Sequence, residues 1–354
     1  METCKRERYG WLDVMKLFAI WLIYTTHYDG MGRFGLLGQF SALGILFFAS
    51  GFTAFTRKDR SWKDFLLEKA QRLLAPYFAF GVLTLAVRVF LFELSLGDMI
   101  DWMKRLLWGA RNVCPVAAMW FLPCLFFMSL YYRTLQRLLK NNRWALLGVS
   151  FLISAAVKFI HEGPVLPWGI DMAGRFLVYY ALGDLFSGLW RAQQQKGPVS
   201  RPVLAAGIVL AGVSFYIFYI NFYYGLGYFP SLFGVREAPF AVLSGITLLY
   251  QCSAIVCAVC VGLALQRLPL LCRMGRMTLV FCCTEQIVKV VLPLLFAAVG
   301  LTLPDSGTQV GGAAMVLQAM GMLLAAYYGL AVPLAKHFPW MLGRFQKTSG
   351  GEGT

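Results

Sequence analysis

Between Trp11 and Gly30 the chain reads WLDVMKLFAIWLIYTTHYDG, an apolar stretch long enough to cross a bilayer that still carries Asp13, Lys16 and His27. At about 100° per residue, Lys16 and His27 fall within roughly 20° of each other on a helix, with Asp13 about 60° from Lys16. A rise of about 1.5 Å per residue sets Lys16 and His27 about 16 Å apart along the axis. Ionisable groups are costly in hydrocarbon and face a bundle interior or a water-filled cavity. One helix face therefore offers chemistry at two depths. Imidazole titrates near neutral pH, so His27 has the means to take a proton from a hydroxyl and return it. The competing reading is a histidine hydrogen-bonded at a helix end, facing headgroups.

The other histidines lack such a face. His161 sits beside Glu162 and Gly163 and reads as a loop residue, and His337 follows the last apolar run and reads as interfacial. Glu285, inside MTLVFCCTEQIVKVV, is the second intramembrane candidate, although Lys289 stands four residues on, in position to pair with it. Arg88 with Glu93, and Asp171 with Arg175, admit the same structural reading. These residues alone leave an enzyme and a transporter both open.

The elements that must hold these groups follow from composition. Of 354 residues, 59% are hydrophobic and only 14% charged, and mean hydropathy is +0.64. A soluble chain of this size needs far more polar surface. Repeated apolar runs of about 20 residues indicate an all-α fold, a polytopic bundle of about ten transmembrane helices. The alternating short segments of a β-barrel do not dominate. The expected spans are 11–28, 36–56, 73–94, 117–134, 144–161, 172–190, 203–224, 240–264, 277–299 and 312–334. Pro123 and Arg175 interrupt the fourth and sixth. Trp11–Tyr28 lacks a small-residue cleavage site and serves as the first span rather than a cleaved signal. A single domain over 1–340 is followed by a flexible tail, 341–354, ending KTSGGEGT.

Net charge is +15, yet the basic residues lie between spans, with no basic groove interleaved with aromatics, so nucleic acid is not expected as a partner. One set of loops carries Lys5, Arg6, Arg8, Arg57, Lys58, Arg60, Lys63, Lys69, Arg72, Arg133, Arg137, Lys140 and Arg143. It continues with Arg191, Lys196, Arg201, Arg267, Arg273, Arg276, Lys336, Arg344 and Lys347. The opposite loops hold Arg33, Lys104, Arg105, Arg111 and Arg236, an asymmetry of 22 to 5. By the positive-inside rule both termini are cytoplasmic in a multi-pass plasma or inner membrane protein. Lys16 then faces the cytoplasmic side and His27 the external one. External Trp102, Trp108 and the stretch NFYYGLGYFPSLFGVREAP read as interfacial anchors, or as stacking platforms for a sugar ring. The nine cysteines include Cys252, Cys257, Cys260, Cys282 and Cys283 in apolar stretches with no histidine at ligand spacing. They read as small hydrophobes, and no metal site is expected.

An ordered set of motifs goes further. Asp13-Val-Met-Lys16, followed by an apolar run to His27, resembles the opening of the membrane-bound acyltransferase-3 family, whose first helix carries a basic residue eleven positions before a histidine. The Asp-x-x-Lys form resembles a branch of carbohydrate O-acetyltransferases. LFFASGF at Leu46–Phe52 resembles the family's Ser-Gly-Phe motif, and EKAQRLLAPYF at Glu68–Phe78 its basic stretch before Pro-Tyr. Met119-Trp120-Phe121-Leu122 resembles its Trp-Phe-Leu motif, and Phe176–Gly183 its aromatic run closing on Leu-Gly. There is one departure. Glu285 stands where the family commonly has a second histidine.

The resemblance implies transfer of an acyl group, above all acetyl, from cytoplasmic acetyl-CoA or another acyl-CoA to a hydroxyl of an extracytoplasmic carbohydrate or glycolipid. No cofactor is permanently bound in such a scheme. It implies His27 as general base or transient acyl carrier, Glu285 as the group that orients or charge-balances it, and Asp13 as the residue that positions Lys16. Lys16 and Arg72 would hold donor phosphates, and Ser50, Gly51 and Trp120 would shape the donor's path, with close helix packing as an equal alternative for these three. A solute exporter using the same polar residues, and a non-catalytic sensor on the same scaffold, are the rival readings.

Overall fold

The computed structural model describes residues 8–27, 32–54, 61–160, 165–225, 227–235, 237–298, 300 and 311–344. His161 and Arg236, and the tail from 345 onward, lie outside the described residues. Among the described residues there are helices and no strands.

In chain order the helices are α1 (Gly10–His27), α2 (Gly32–Phe52), α3 (Trp62–Phe92), α4 (Leu96–Trp108), α5 (Phe121–Leu138), α6 (Arg143–Ile160) and α7 (Ile170–Arg175). They continue with α8 (Leu177–Lys196), α9 (Arg201–Tyr224), α10 (Tyr228–Leu232), α11 (Phe240–Leu265), α12 (Pro269–Gly275), α13 (Thr278–Ala298) and α14 (311–337). A helix overlies each of the ten expected segments. Among the described residues, five helical stretches are long and apolar enough to cross a membrane: Trp62–Phe92, Arg201–Tyr224, Phe240–Leu265, Thr278–Ala298 and Leu317–His337.

The first helix is not among those five, and its surroundings explain why. It is the central post, packed against α2, α11, α12, α13 and α14. Along it Trp11, Met15, Ile20, Leu22 and Tyr24 are almost wholly buried. A helix enclosed by other helices need not be apolar on every side, so the bundle tolerates Asp13, Lys16 and His27 where lipid would not.

Small residues let α1 and its neighbours approach at backbone distance. A Cβ at Gly275 would collide with the Asp13 carbonyl, and one at Gly262 with the Trp11 carbonyl. Gly51 meets the Tyr180 carbonyl and Gly183 the Phe48 carbonyl, locking α2 to α8. Such small-residue contacts carry much of helix association where the solvent is itself apolar. Rings fill the rest. Phe47 packs on Phe121 and Phe176 at 4.9 and 5.2 Å between centroids, joining the three aromatic motifs of α2, α5 and α8. Trp11 packs on Phe52 and Trp190 at 5.0 and 5.1 Å.

Two helices contain a widened π turn, Ala70–Leu74 in α3 and Tyr327–Ala331 in α14. Each precedes a proline, Pro76 and Pro333, which has no N–H for the carbonyl four residues back. In α3 that carbonyl belongs to Arg72. The helix widens there, as helices often do at functional positions.

Replacing Gly275 by valine is expected to force α12 away from α1 and to cost about 1–3 kcal/mol of stability. A thermal melt of the detergent-solubilised protein reads this directly. An unchanged midpoint would show that α1 is not pinned at Asp13.

Candidate active site

His27 is the last residue of α1 and Glu285 lies mid-helix on α13, 258 residues away in sequence. The fold brings His27 Nδ1 to 3.4 Å from Glu285 Oε2. The contact is long for a hydrogen bond, and it pairs opposite charges only when the imidazole is protonated. Glu285 is fully buried and His27 about one-quarter exposed. The neighbouring Gln286 Nε2 donates to Glu285 Oε2 at 2.8 Å, while Glu285 Oε1 has no hydrogen-bond partner among the described residues. A buried carboxylate is expensive unless paired, and Nδ1 is the imidazole nitrogen set against it, although Nδ1 makes no hydrogen bond among the described residues.

Lys289 takes a different part from the one its spacing suggested. Its ammonium donates to the His27 backbone carbonyl at 2.6 Å rather than pairing with Glu285. The last carbonyls of a helix lack intrahelical donors and carry partial negative charge, and a cation there satisfies both needs. One turn of α13 thus holds the end of α1 twice, at the imidazole and at the backbone. Tyr24 reinforces the contact by donating to the Phe281 carbonyl at 3.2 Å.

At the opposite end of α1, Lys16 Nζ lies 2.7 Å from Asp13 Oδ1, one helical turn back. Lys16 lines a cavity of about 1150 Å³ together with Arg72, Arg276, Arg344, Asp64 and Glu68. Four cations face two carboxylates, and the walls add Leu67, Met277, Leu279 and Val280. Arg72 is half-exposed and reaches Glu68 at 2.8 Å, a pair that a bound anion is able to rearrange at little cost. Gly343, in the left-handed region at φ 66°, lies against the Gln71 carbonyl, where a Cβ would clash. This contact folds the segment ending at Arg344 over the π turn of α3.

The fold therefore brings together Lys16, Asp13 and Arg72 at one end of α1, and His27 with Glu285 at the other. Asp13 serves Lys16 and stands far along the axis from His27. Ser50 donates its hydroxyl to the Leu46 carbonyl at 2.8 Å, and Gly51 is spent on the contact with Tyr180. Trp120 is buried beneath Arg111, 5.6 Å from ring centroid to guanidinium. Of these three, none lines the cavity. Arg276 and Arg344 do line it, although their sequence context showed only loop charge. Nothing local marks them, because they reach the cavity from segments some 200 or more residues beyond Arg72.

A family model described as an acyltransferase domain matches residues 9–281, more than half of the chain. Comparison with curated proteins and with solved structures gives no match. The matched region includes the whole of α1 and stops four residues short of Glu285.

The cation excess in the cavity sets an expectation for anion binding. Arg276→Ala is expected to weaken binding of inorganic pyrophosphate by about 10- to 100-fold, the loss of a hydrogen bond to a charged group. Isothermal titration of the purified protein measures it. Equal affinity in the variant would remove Arg276 from the site.

Proposed function

The chain belongs to the membrane acyltransferase-3 family, and from that membership and the two-ended geometry of α1 we propose that it moves an acetyl group from cytoplasmic acetyl-CoA to a hydroxyl of an extracytoplasmic carbohydrate or glycolipid. The observation that carries this reading is the basic cavity at the Lys16 end of the same helix whose other end holds the His27–Glu285 pair. A ten-span topology with both termini cytoplasmic would put these two ends on opposite sides of the membrane. The loop-charge asymmetry supports that topology.

In this scheme the donor's phosphates rest among Lys16, Arg72, Arg276 and Arg344, where guanidinium groups suit bidentate contact with phosphate oxygens. The long pantetheine arm then runs beside α1, covering the rise of about 16 Å between Lys16 and His27. At the far end His27 Nε2 removes the proton from the acceptor hydroxyl as its oxygen attacks the thioester carbonyl. The C–S bond breaks and CoA leaves as thiolate, which takes up the proton; the ester stays on the acceptor. Glu285 faces the imidazolium that forms midway and offsets its charge, the part a carboxylate plays beside a catalytic histidine. Glu285 stands where the family resemblance leads one to expect a second histidine, so this protein would set a carboxylate beside the imidazole instead.

Purified protein supplied with labelled acetyl-CoA and candidate glycans should release CoA and label the glycan. His27→Ala should abolish both while the protein still inserts and melts normally; an active variant would remove the central role of His27. Glu285→Gln keeps the size and the Gln286 contact but removes the charge, and should lower kcat by about 10²–10⁴-fold with the KM for acetyl-CoA unchanged. Lys16→Ala should do the reverse, raising that KM with kcat nearly retained. Movement of a solute across proteoliposomes without CoA release would favour an exporter instead.

A further inference from the structure

A third group of charges lies apart from both ends of α1. Arg111 sits in the turn-rich segment before α5, stacked over the Trp120 ring. Trp120 lies against Gly169, where a Cβ would be 3.5 Å from Trp120 Cε3, so the start of α7 is beside it. Near the end of α7, Gly174 packs on Val157 of α6, a Cβ there lying 3.0 Å from the valine methyl. Ser154 donates to the Gly174 carbonyl at 3.0 Å. Arg175 and Lys158 are the next residues along from that packed pair. Arg175 lies within electrostatic reach of both Arg111 and Lys158. All three cations are half-buried. Among the described residues no salt bridge joins any of them to a carboxylate. Asp171, buried on α7, is within reach of Arg111, so that among the described residues the array holds three cations and one carboxylate.

Burial, and after it the Arg175 cation, lowers the Arg111 guanidinium from its ordinary value. Stacking on Trp120 accounts for Arg111 alone. It does not explain why Arg175 and Lys158 are held beside it. Like charges gathered in a half-buried place repel until an anion joins them.

The array is at the His27 end of the bundle. Two residues before Trp120, the Ala118 carbonyl accepts from Cys282 Sγ at 3.4 Å, and Cys282 is one turn of α13 from Glu285. The contacts Arg111–Trp120, Ala118–Cys282 and Glu285–His27 form one chain from the array to the imidazole.

We propose that Arg111, Lys158 and Arg175 bind an oxyanion, carboxylate or phosphate, carried by the acceptor, so that the enzyme acts on acidic carbohydrate. The proposal rests on the acyl-transfer reading above and adds the acceptor's charge to it. The two arginines offer planar forks matched to carboxylate and phosphate oxygens, and the buried Trp120 ring beneath Arg111 holds one of them in place. The acidic group would anchor the acceptor while a hydroxyl elsewhere on it meets His27.

The test uses the full chain in phosphatidylcholine nanodiscs and two matched pairs of probes: trigalacturonate with its methyl ester, and maltotriose phosphate with maltotriose. Binding is measured by titration and acetyl transfer by CoA release. The charged member of at least one pair should bind about 10- to 100-fold more tightly than its neutral partner. Which pair shows the preference distinguishes carboxylate from phosphate. Arg175→Gln should erase that preference without changing acetyl-CoA binding, and Arg111→Lys should keep most of it. Retained acetyl-CoA binding shows that each variant is folded. Equal affinity within both pairs, or a preference that survives both Arg175→Gln and Arg111→Ala, overturns the proposal. Selective binding of the charged probes with no CoA release from any of them upholds the anion site and counts instead against acyl transfer.

Discussion

The constraint on which everything else depends is the cost of ionisable groups at membrane depth. Asp13, Lys16 and His27 lie on one helix, and none is affordable against lipid. The bundle answers by burying α1 at its centre, ringed by α2, α11, α12, α13 and α14. Each ionisable group is then met individually: Asp13 by Lys16, His27 by Glu285, and the open end of the helix by Lys289. The glycines that admit neighbouring backbones to α1, Gly262 and Gly275, follow from the same need. Enclosure at this closeness leaves no room for a Cβ.

Once α1 is fixed, the two ends acquire different characters. The Lys16 end opens into a cavity rich in guanidinium groups, suited to a polyanion. The His27 end holds a buried carboxylate, one oxygen of which has no hydrogen-bond partner among the described residues. In the proposed reaction the other oxygen, Oε2, which faces Nδ1, is set against the imidazolium that forms while the proton is in transit. Electrostatic stabilisation of this kind favours the transition state over the resting site, and for that reason accelerates the chemistry.

Much of this was legible in the residues themselves. The apolar runs gave the helices, since backbone groups in lipid have no other partner than their own chain, and the 11-residue interval from Lys16 to His27 gave a shared face. The order of the aromatic motifs gave the family, and the fold shows what three of them do: Phe47, Phe121 and Phe176 meet in one cluster. Ser50 and Gly51 illustrate the opposite case. Their motif marks helix packing here, and a motif alone does not separate packing from binding. Lys289 misled because a neighbour at i+4 is only one of the partners a long side chain can reach. Arg276 and Arg344 were visible only as charges, because their meaning comes from contacts made some 200 or more residues away along the chain. The same holds for the His27–Glu285 pair, which the family resemblance suggested and only the folded chain joins.

The central claim is that one helix connects donor binding to proton transfer. Cryo-electron microscopy of the protein in nanodiscs with a non-hydrolysable acetyl-CoA analogue tests it most directly. The account predicts density for the donor phosphates between Lys16, Arg72, Arg276 and Arg344, with the acyl carbonyl lying beside His27 Nε2. Phosphate density elsewhere on the molecule, or an acyl group held away from His27, would contradict it.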